Sequence, residues 1–273
     1  MAGRAPGLSP DSRCAAFQTG LPPDDRFRKG SPTRGRQAAE VFPDDPLSAE
    51  QSMPSQAPAL PKVIPFITPR RGEAMDPAIR IRAVPCRHPM PKLGYTLEEP
   101  EDRDPEGVLW ARTLENPVVN GEREGAPRWS DVHPLRQRRT MMLLRCQVGD
   151  CPATRPDGSR LFLFAESTGM PDGEPMLTAK PPVCERHALV AARLCPMLGP
   201  DPYAVVVKRA RLFGVSGVRY EYTLRGPRVV EESHDDPVPY GTFPHQNWIL
   251  ATQMWRQLHD YRTCRLSDLG LAS

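Results

Sequence analysis

Cys146-Gln147-Val148-Gly149-Asp150-Cys151 and, further along, Cys184-Glu185-Arg186-His187 are the two stretches on which the reading of this chain turns. The first sets two thiols at the ends of a short turn that contains a glycine. The second sets a thiol and an imidazole three residues apart, at the start of a stretch with helical character. Two such pairs, separated by a hairpin-sized segment, meet the needs of a tetrahedral ion. Each pair spans one edge of the tetrahedron, and the intervening chain closes the loop. Cys146, Cys151, Cys184 and His187 are therefore the candidate metal ligands, and Zn2+ the candidate cofactor. A helix start at Cys184 would add free N–H groups and partial positive charge, both favouring the thiolate. Four protein ligands leave no open position for a substrate water, so the expected site is structural and not catalytic.

Between the two pairs, Leu161-Phe162-Leu163-Phe164-Ala165 reads as a strand and Met176-Leu177-Thr178-Ala179 as its return. Glu185 to Cys195 reads as a helix with Leu189, Val190 and Leu194 on its apolar side, ended by Pro196 and Pro200. The order of turn, hairpin and helix over residues 146–195 resembles the treble-clef zinc fingers. The resemblance implies a small structural zinc module. In that family the first two cysteines are usually separated by two residues. Here Gly149 occupies the place of the second, and Cys151 follows two residues later. The stretches Arg145-Cys146-Gln147-Val148, Pro181-Pro182-Val183-Cys184 and Arg193-Leu194-Cys195-Pro196 also resemble a group of uncharacterised actinobacterial proteins, a likeness that implies no activity.

Working outward, Leu135 to Leu144 reads as a helix with Pro134 in its first turn. Tyr203 to Ala210 is a buried-strand candidate. Gly214 and Gly217 suggest a turn, and Val218, Tyr220, Tyr222 and Leu224 alternate with polar residues as a half-exposed strand. An acidic loop is expected over Glu231 to Pro239. Trp248, Ala251, Trp255 and Leu258 recur at helical spacing, so a C-terminal helix is expected from about Gln246 to Arg262. Upstream, residues 75–128 read as a weakly ordered linker with short strands near Ala78–Val84 and Val108–Ala111, and with a solvated acidic loop from Glu98 to Glu106. Residues 1–74 carry repeated prolines and no apolar periodicity, and read as disordered. The fold class is thus α+β: a disordered Pro-rich N-terminus, then a zinc-stabilised domain over 129–273. In that domain a treble-clef-like segment joins a short antiparallel sheet and a C-terminal helix.

Composition narrows the functional classes. The chain has 273 residues, 34 of them proline, and a formal net charge of only +3. Its basic residues are nearly all Arg and are almost balanced by acids, so charge alone does not point to nucleic acid. Seven cysteines is an odd number at irregular spacing, which favours a metal over a disulfide framework. No secretory leader and no run near the roughly 18 apolar residues of a membrane span is visible, so a cytoplasmic protein without a membrane partner is expected. There is no phosphate-cradling glycine loop, Rossmann pattern or nucleophile elbow. His-Asn-His nucleases built on a treble clef need a catalytic histidine on the hairpin, yet no His lies between Cys151 and Cys184. Cys86 with His88 is a lone pair between prolines, and His234-Asp235-Asp236 reads as a solvated loop. The expected function is a non-enzymatic zinc-stabilised module that binds a macromolecular partner. The alternative is a nucleic-acid-binding protein using Arg136, Arg138, Arg139 and Arg145, with Lys208, Arg209 and Arg211 further on. A degenerate nuclease-like treble clef is the third.

Overall fold

Val205-Val206-Val207 and the aromatic-rich run around it form the centre of a mixed six-stranded sheet, because β-branched and aromatic side chains pack well on a pleated surface. The computed structural model describes residues 63–86, 90–168 and 175–271. Its strands are β1 (Ile81–Val84), β2 (Lys92–Tyr95), β3 (Leu109–Trp110), β4 (Val118–Val119), β5 (Glu122–Arg123), β6 (Arg160–Phe164), β7 (Met176–Thr178), β8 (Tyr203–Thr223), β9 (Gly226–Pro239) and β10 (Ile249–Arg265). Two α-helices stand among them, α1 (Pro134–Leu143) and α2 (Glu185–Leu194). The antiparallel pair β8–β10 is the spine, in register from Ile249 opposite Arg219 to Arg265 opposite Tyr203. The far edge of β8 is shared by β6 and β9, and that of β10 by β3 and β7. Strands β1–β2 and β4–β5 make two small antiparallel ribbons.

The expected C-terminal helix is a strand. Trp248 ends a short 3-10 turn, and from Ile249 onward the chain is β10. The reason lies in Arg256. Met254, Arg256 and Leu258 all point inward and are buried, an alternation of period two. An arginine at the middle position hides that alternation and leaves the apolar residues at helical spacing. Arg256 is admitted because its guanidinium donates to the carbonyls of Met141 (2.8 Å), Met142 (3.1 Å) and Ala210 (2.6 Å). The first two are free carbonyls at the end of α1, where a cation is favoured. Burial pulls its pKa down to about 10, which leaves it charged at neutral pH. On the same strand, the Gln137 carboxamide donates to the Met254 carbonyl and accepts from the Met254 N–H, both at 2.9 Å. A side chain thus pairs the stretch of β10 edge between β3 and β7, which no strand covers.

Two further expectations change for a related reason. Gly214 and Gly217 do not turn the chain, and β8 runs straight through them. Each admits a close approach instead: a Cβ at Gly214 would collide with the Val238 carbonyl, and one at Gly217 with the Leu250 carbonyl. Register shifts in both neighbouring ladders fall beside these glycines. The acidic segment 231–239 is part of β9, paired with β8 through Glu231 opposite Arg219 and Val238 opposite Val215. Strands β6 and β7 do not form a hairpin either. β6 pairs with β8, and β7 pairs with β10 on the opposite side of the spine. The hairpin expected from β6 and β7 is therefore not formed between these two strands.

Order also begins earlier than residue 75, while residues 1–62 lie outside the described residues. Ile67, Thr68 and Glu73 are buried. Glu73 accepts from the backbone N–H groups of Arg70 (2.7 Å) and Asn116 (3.1 Å) and pairs with the buried guanidinium of Arg136 at 2.6 Å. Those hydrogen bonds hold the Glu73 carboxyl below its ordinary range against the opposing effect of burial. The stretch read as a linker supplies Leu93, Tyr95, Val108, Leu109, Trp110 and Ala111 to the core. Nor is its acidic segment merely solvated. Asp104 accepts from the Val108 N–H (2.9 Å), the Trp110 indole (3.0 Å) and the Tyr240 hydroxyl (2.8 Å).

Candidate metal centre

The first ligand pair sits on a turn launched by α1. Leu144 ends that helix in the left-handed conformation, and Arg145 and Cys146 leave it. The Cys146 carbonyl accepts from the Asp150 N–H and the Cys146 N–H donates to the Cys151 carbonyl, both at 2.9 Å. Asp150 closes the turn at φ 48°, a conformation that a short polar side chain tolerates better than most. Its carboxylate is held from both sides, by Arg145 at 2.7 Å and Arg139 at 2.9 Å. The turn is further tied to the N-terminal stretch, where Phe66 and Ile67 donate to the carbonyls of Val148 (2.9 Å) and Gln147 (3.3 Å).

The second pair sits at the start of α2. Cys184 is the N-cap residue and His187 the third helical position, which places both side chains on one side of the first turn. The helix buries Ala188 and packs Ala191 and Ala192 against the local core. Leu194, expected on that packed side, is 36% exposed. Small residues let the helix lie close enough for its first turn to reach the Cys146–Cys151 turn.

The four side chains converge. His187 Nδ1 lies 3.4 Å from the Cys146 sulfur, 3.5 Å from that of Cys151 and 3.3 Å from that of Cys184. The sulfurs of Cys151 and Cys184 are 3.6 Å apart, and all four ligand atoms lie within 4.8 Å of one another. A tetrahedral ion with bonds of about 2.3 Å to sulfur and 2.0–2.1 Å to nitrogen requires S···N separations of about 3.5 Å and S···S separations of about 3.8 Å. The observed spacing fits that demand, so the cluster can hold a metal ion. Among the described residues, no other group of Cys, His, Asp and Glu side chains converges in this way.

Backbone donors and burial act on the thiols in opposite directions. Backbone N–H groups of Cys184, Gly149 and Val148 face the fully buried Cys146 sulfur, and that of His187 faces Cys184. Burial above all, with the neighbouring thiols adding to it, pushes all three thiols above their ordinary pKa, and burial together with the Arg186 charge pushes the His187 imidazole below its own. Three clustered thiols are thus held neutral unless a cation compensates them, and the imidazole is kept in the neutral form that a metal requires. Gly149 matters for a separate reason. A Cβ there would stand 3.1 Å from Nδ1 and 3.2 Å from Nε2 of His187, and closer still to Cε1 between them. The Cε1 side of the imidazole lies against the bare glycine, while Nδ1 faces the three sulfurs. The roles of Gly149 and of Asp150 were not read from the sequence, although a glycine between two candidate ligands was the available signal.

Of the arginines proposed as a phosphate-contacting stripe, Arg136 is buried, Arg138 and Arg145 are partly buried and Arg139 is exposed. Arg136 is 2% exposed and bound to Glu73 and to the Thr68 carbonyl. Arg138 lies over the Trp110 ring at 5.3 Å and donates to the carbonyls of Glu101 and Arg103. Arg139 and Arg145 hold Asp150. Lys208 and Arg209 pair with Asp157 and Asp260. Of the other candidates, Cys86 donates to the Met90 carbonyl and is no part of the cluster, and His88 lies outside the described residues. His234 pairs with Glu232 at 3.6 Å while Asp236 pairs with Arg219 at 2.6 Å, so they do not face a common point. No helix among the described residues is long and apolar enough to cross a membrane. The chain matches no protein-family model, no curated protein and no solved structure.

Proposed function

We propose that this chain is a non-enzymatic binding module whose fold is fastened by one structural zinc ion. The observation that carries the reading is the convergence of three cysteine sulfurs on His187 Nδ1 at 3.3–3.5 Å. Three soft thiolates and an imidazole in tetrahedral disposition suit zinc above the hard cations, which prefer oxygen. With all four positions taken by protein, the ion has no vacant site for a substrate or an activated water. Its work is mechanical. It would join the turn after α1 to the start of α2, two elements that give the local core only small side chains, Cys146 and Val148 from the turn and Ala188 from the helix. The residues that would hold it are Cys146, Cys151, Cys184 and His187, with Gly149 and Asp150 shaping the turn.

A partner surface is suggested by the β8–β9 hairpin. At its tip Leu224 is 99% exposed, with Tyr222, Val229 and Val230 exposed nearby, and exposed apolar clusters commonly mark interaction sites. The nucleic-acid alternative draws no support from Arg136, which is buried on Glu73, while Arg138 and Arg145 are partly buried on partners within the chain and Arg139 is exposed beside Asp150. Elemental analysis of the purified full chain tests the first half of the proposal: one zinc per chain is expected, and none in Cys184→Ser. Absence of stoichiometric zinc from the parent protein would sink it. Salt-dependent retention on a DNA column is expected to be no stronger than on a plain cation exchanger. Retention on DNA alone would move the function to the nucleic-acid class.

A further inference from the structure

Resting on the metal reading above, we infer that Cys151 and Cys184 are a peroxide-sensitive dithiol whose oxidation ejects the ion. The three sulfurs are not equivalent. Cys146 is fully buried, while Cys151 and Cys184 are only half-buried at the outer side of the cluster. Backbone N–H groups of three residues face the Cys146 sulfur, and such donors withdraw electron density and blunt a thiolate as a nucleophile. Solvent therefore reaches the pair Cys151–Cys184 first. Those two sulfurs are 3.6 Å apart, and a disulfide needs about 2.05 Å. Closing that gap asks for a movement of about 1.5 Å between a tight turn and a helix N-cap.

The chemistry balances with hydrogen peroxide as the oxidant. One thiolate attacks a peroxide oxygen. A sulfur–oxygen bond forms, the oxygen–oxygen bond breaks, and hydroxide leaves and takes a proton to become water. The second thiolate then attacks the sulfenic sulfur. The sulfur–sulfur bond forms, the sulfur–oxygen bond breaks, and a second hydroxide leaves as water after protonation. Two thiolates, one peroxide and two protons give one disulfide and two waters. The ion loses two of its four ligands and departs as the free divalent cation, leaving Cys146 and His187 without it. The new disulfide still links the turn to α2, so the domain survives ejection and a thiol reductant plus zinc restores the original state.

The test starts from the full chain with its metal content measured. Equimolar hydrogen peroxide is added, released metal is read with a chromophoric chelator, and disulfides are mapped by mass spectrometry after alkylation. One metal released per disulfide is expected, with Cys151 joined to Cys184 and Cys146 alkylated. Dithiothreitol and zinc should return the metal. Cys146→Ser should still form the Cys151–Cys184 bond under peroxide. Metal-loaded protein that keeps its ion, or whose disulfide runs mainly through Cys146, overturns the inference. Protein that holds no metal before oxidant is added overturns the metal reading instead, so the two failures are distinguishable.

Discussion

Gly149→Ala is the sharpest test of the metal geometry. The new methyl carbon would stand 3.1 and 3.2 Å from the two His187 ring nitrogens and nearer still to Cε1, where ordinary contact begins at 3.4 Å. The ring has to withdraw by the better part of 1 Å, against a tolerance of about 0.2 Å on metal–ligand distances. The turn cannot yield in its place, because Asp150 is clamped by Arg139 and Arg145 and the backbone is bonded to Phe66 and Ile67. Loss of ligand positioning weakens metal affinity by about 10–100-fold, which is about 1.4–2.8 kcal/mol. Chelator competition measures it directly. Melting with and without a chelator gives a second reading: Gly149→Ala should lower Tm only in the metal-loaded protein, since a free imidazole can rotate away. In a His187→Ala background the glycine substitution should add almost nothing, because the two changes act through one contact. Parent-like zinc affinity in Gly149→Ala would refute the placement of the imidazole.

Glu73→Ala leaves the Arg136 guanidinium buried without its carboxylate and should lower unfolding free energy by about 3–5 kcal/mol, read by chemical denaturation; a loss under 1 kcal/mol would contradict the burial of that pair. Arg256→Met strands the carbonyls of Met141, Met142 and Ala210 and should cost about 2 kcal/mol or more, with a parent-like denaturation midpoint as the refuting result. The stability of the metal-free protein should be full below the ordinary thiol pKa and fall as pH rises past it. The folded thiols are pushed up by burial, so the unfolded chain loses its protons first and is favoured at high pH. The metal-loaded protein should show the opposite trend, losing its ion as pH falls, since protons compete for the thiolates; parallel pH profiles with and without zinc would contradict this.

Local patterns in the sequence were enough for α1, α2, β6 and β7, and for the four ligand candidates. Those features rest on near neighbours: Pro134 in a first helical turn, prolines after α2, two thiols across a short turn, a thiol and an imidazole on one helical turn. The path of the chain between those elements was not legible. Arg256 masks the period-two pattern of β10 because its charge is met by carbonyls of α1, far away in sequence. Residues 63–74 look like unstructured chain until Glu73 finds Arg136 and Phe66 finds the Cys146–Cys151 turn. Gly214 and Gly217 look like turn residues until two neighbouring strands press on them. The strands expected to pair as a hairpin are recruited to opposite sides of β8–β10. The residue types at the candidate metal centre were thus set by spacing along the chain. Their convergence was decided by long-range packing, because the bare Gly149 meets the His187 ring only once the turn and the helix have been brought together.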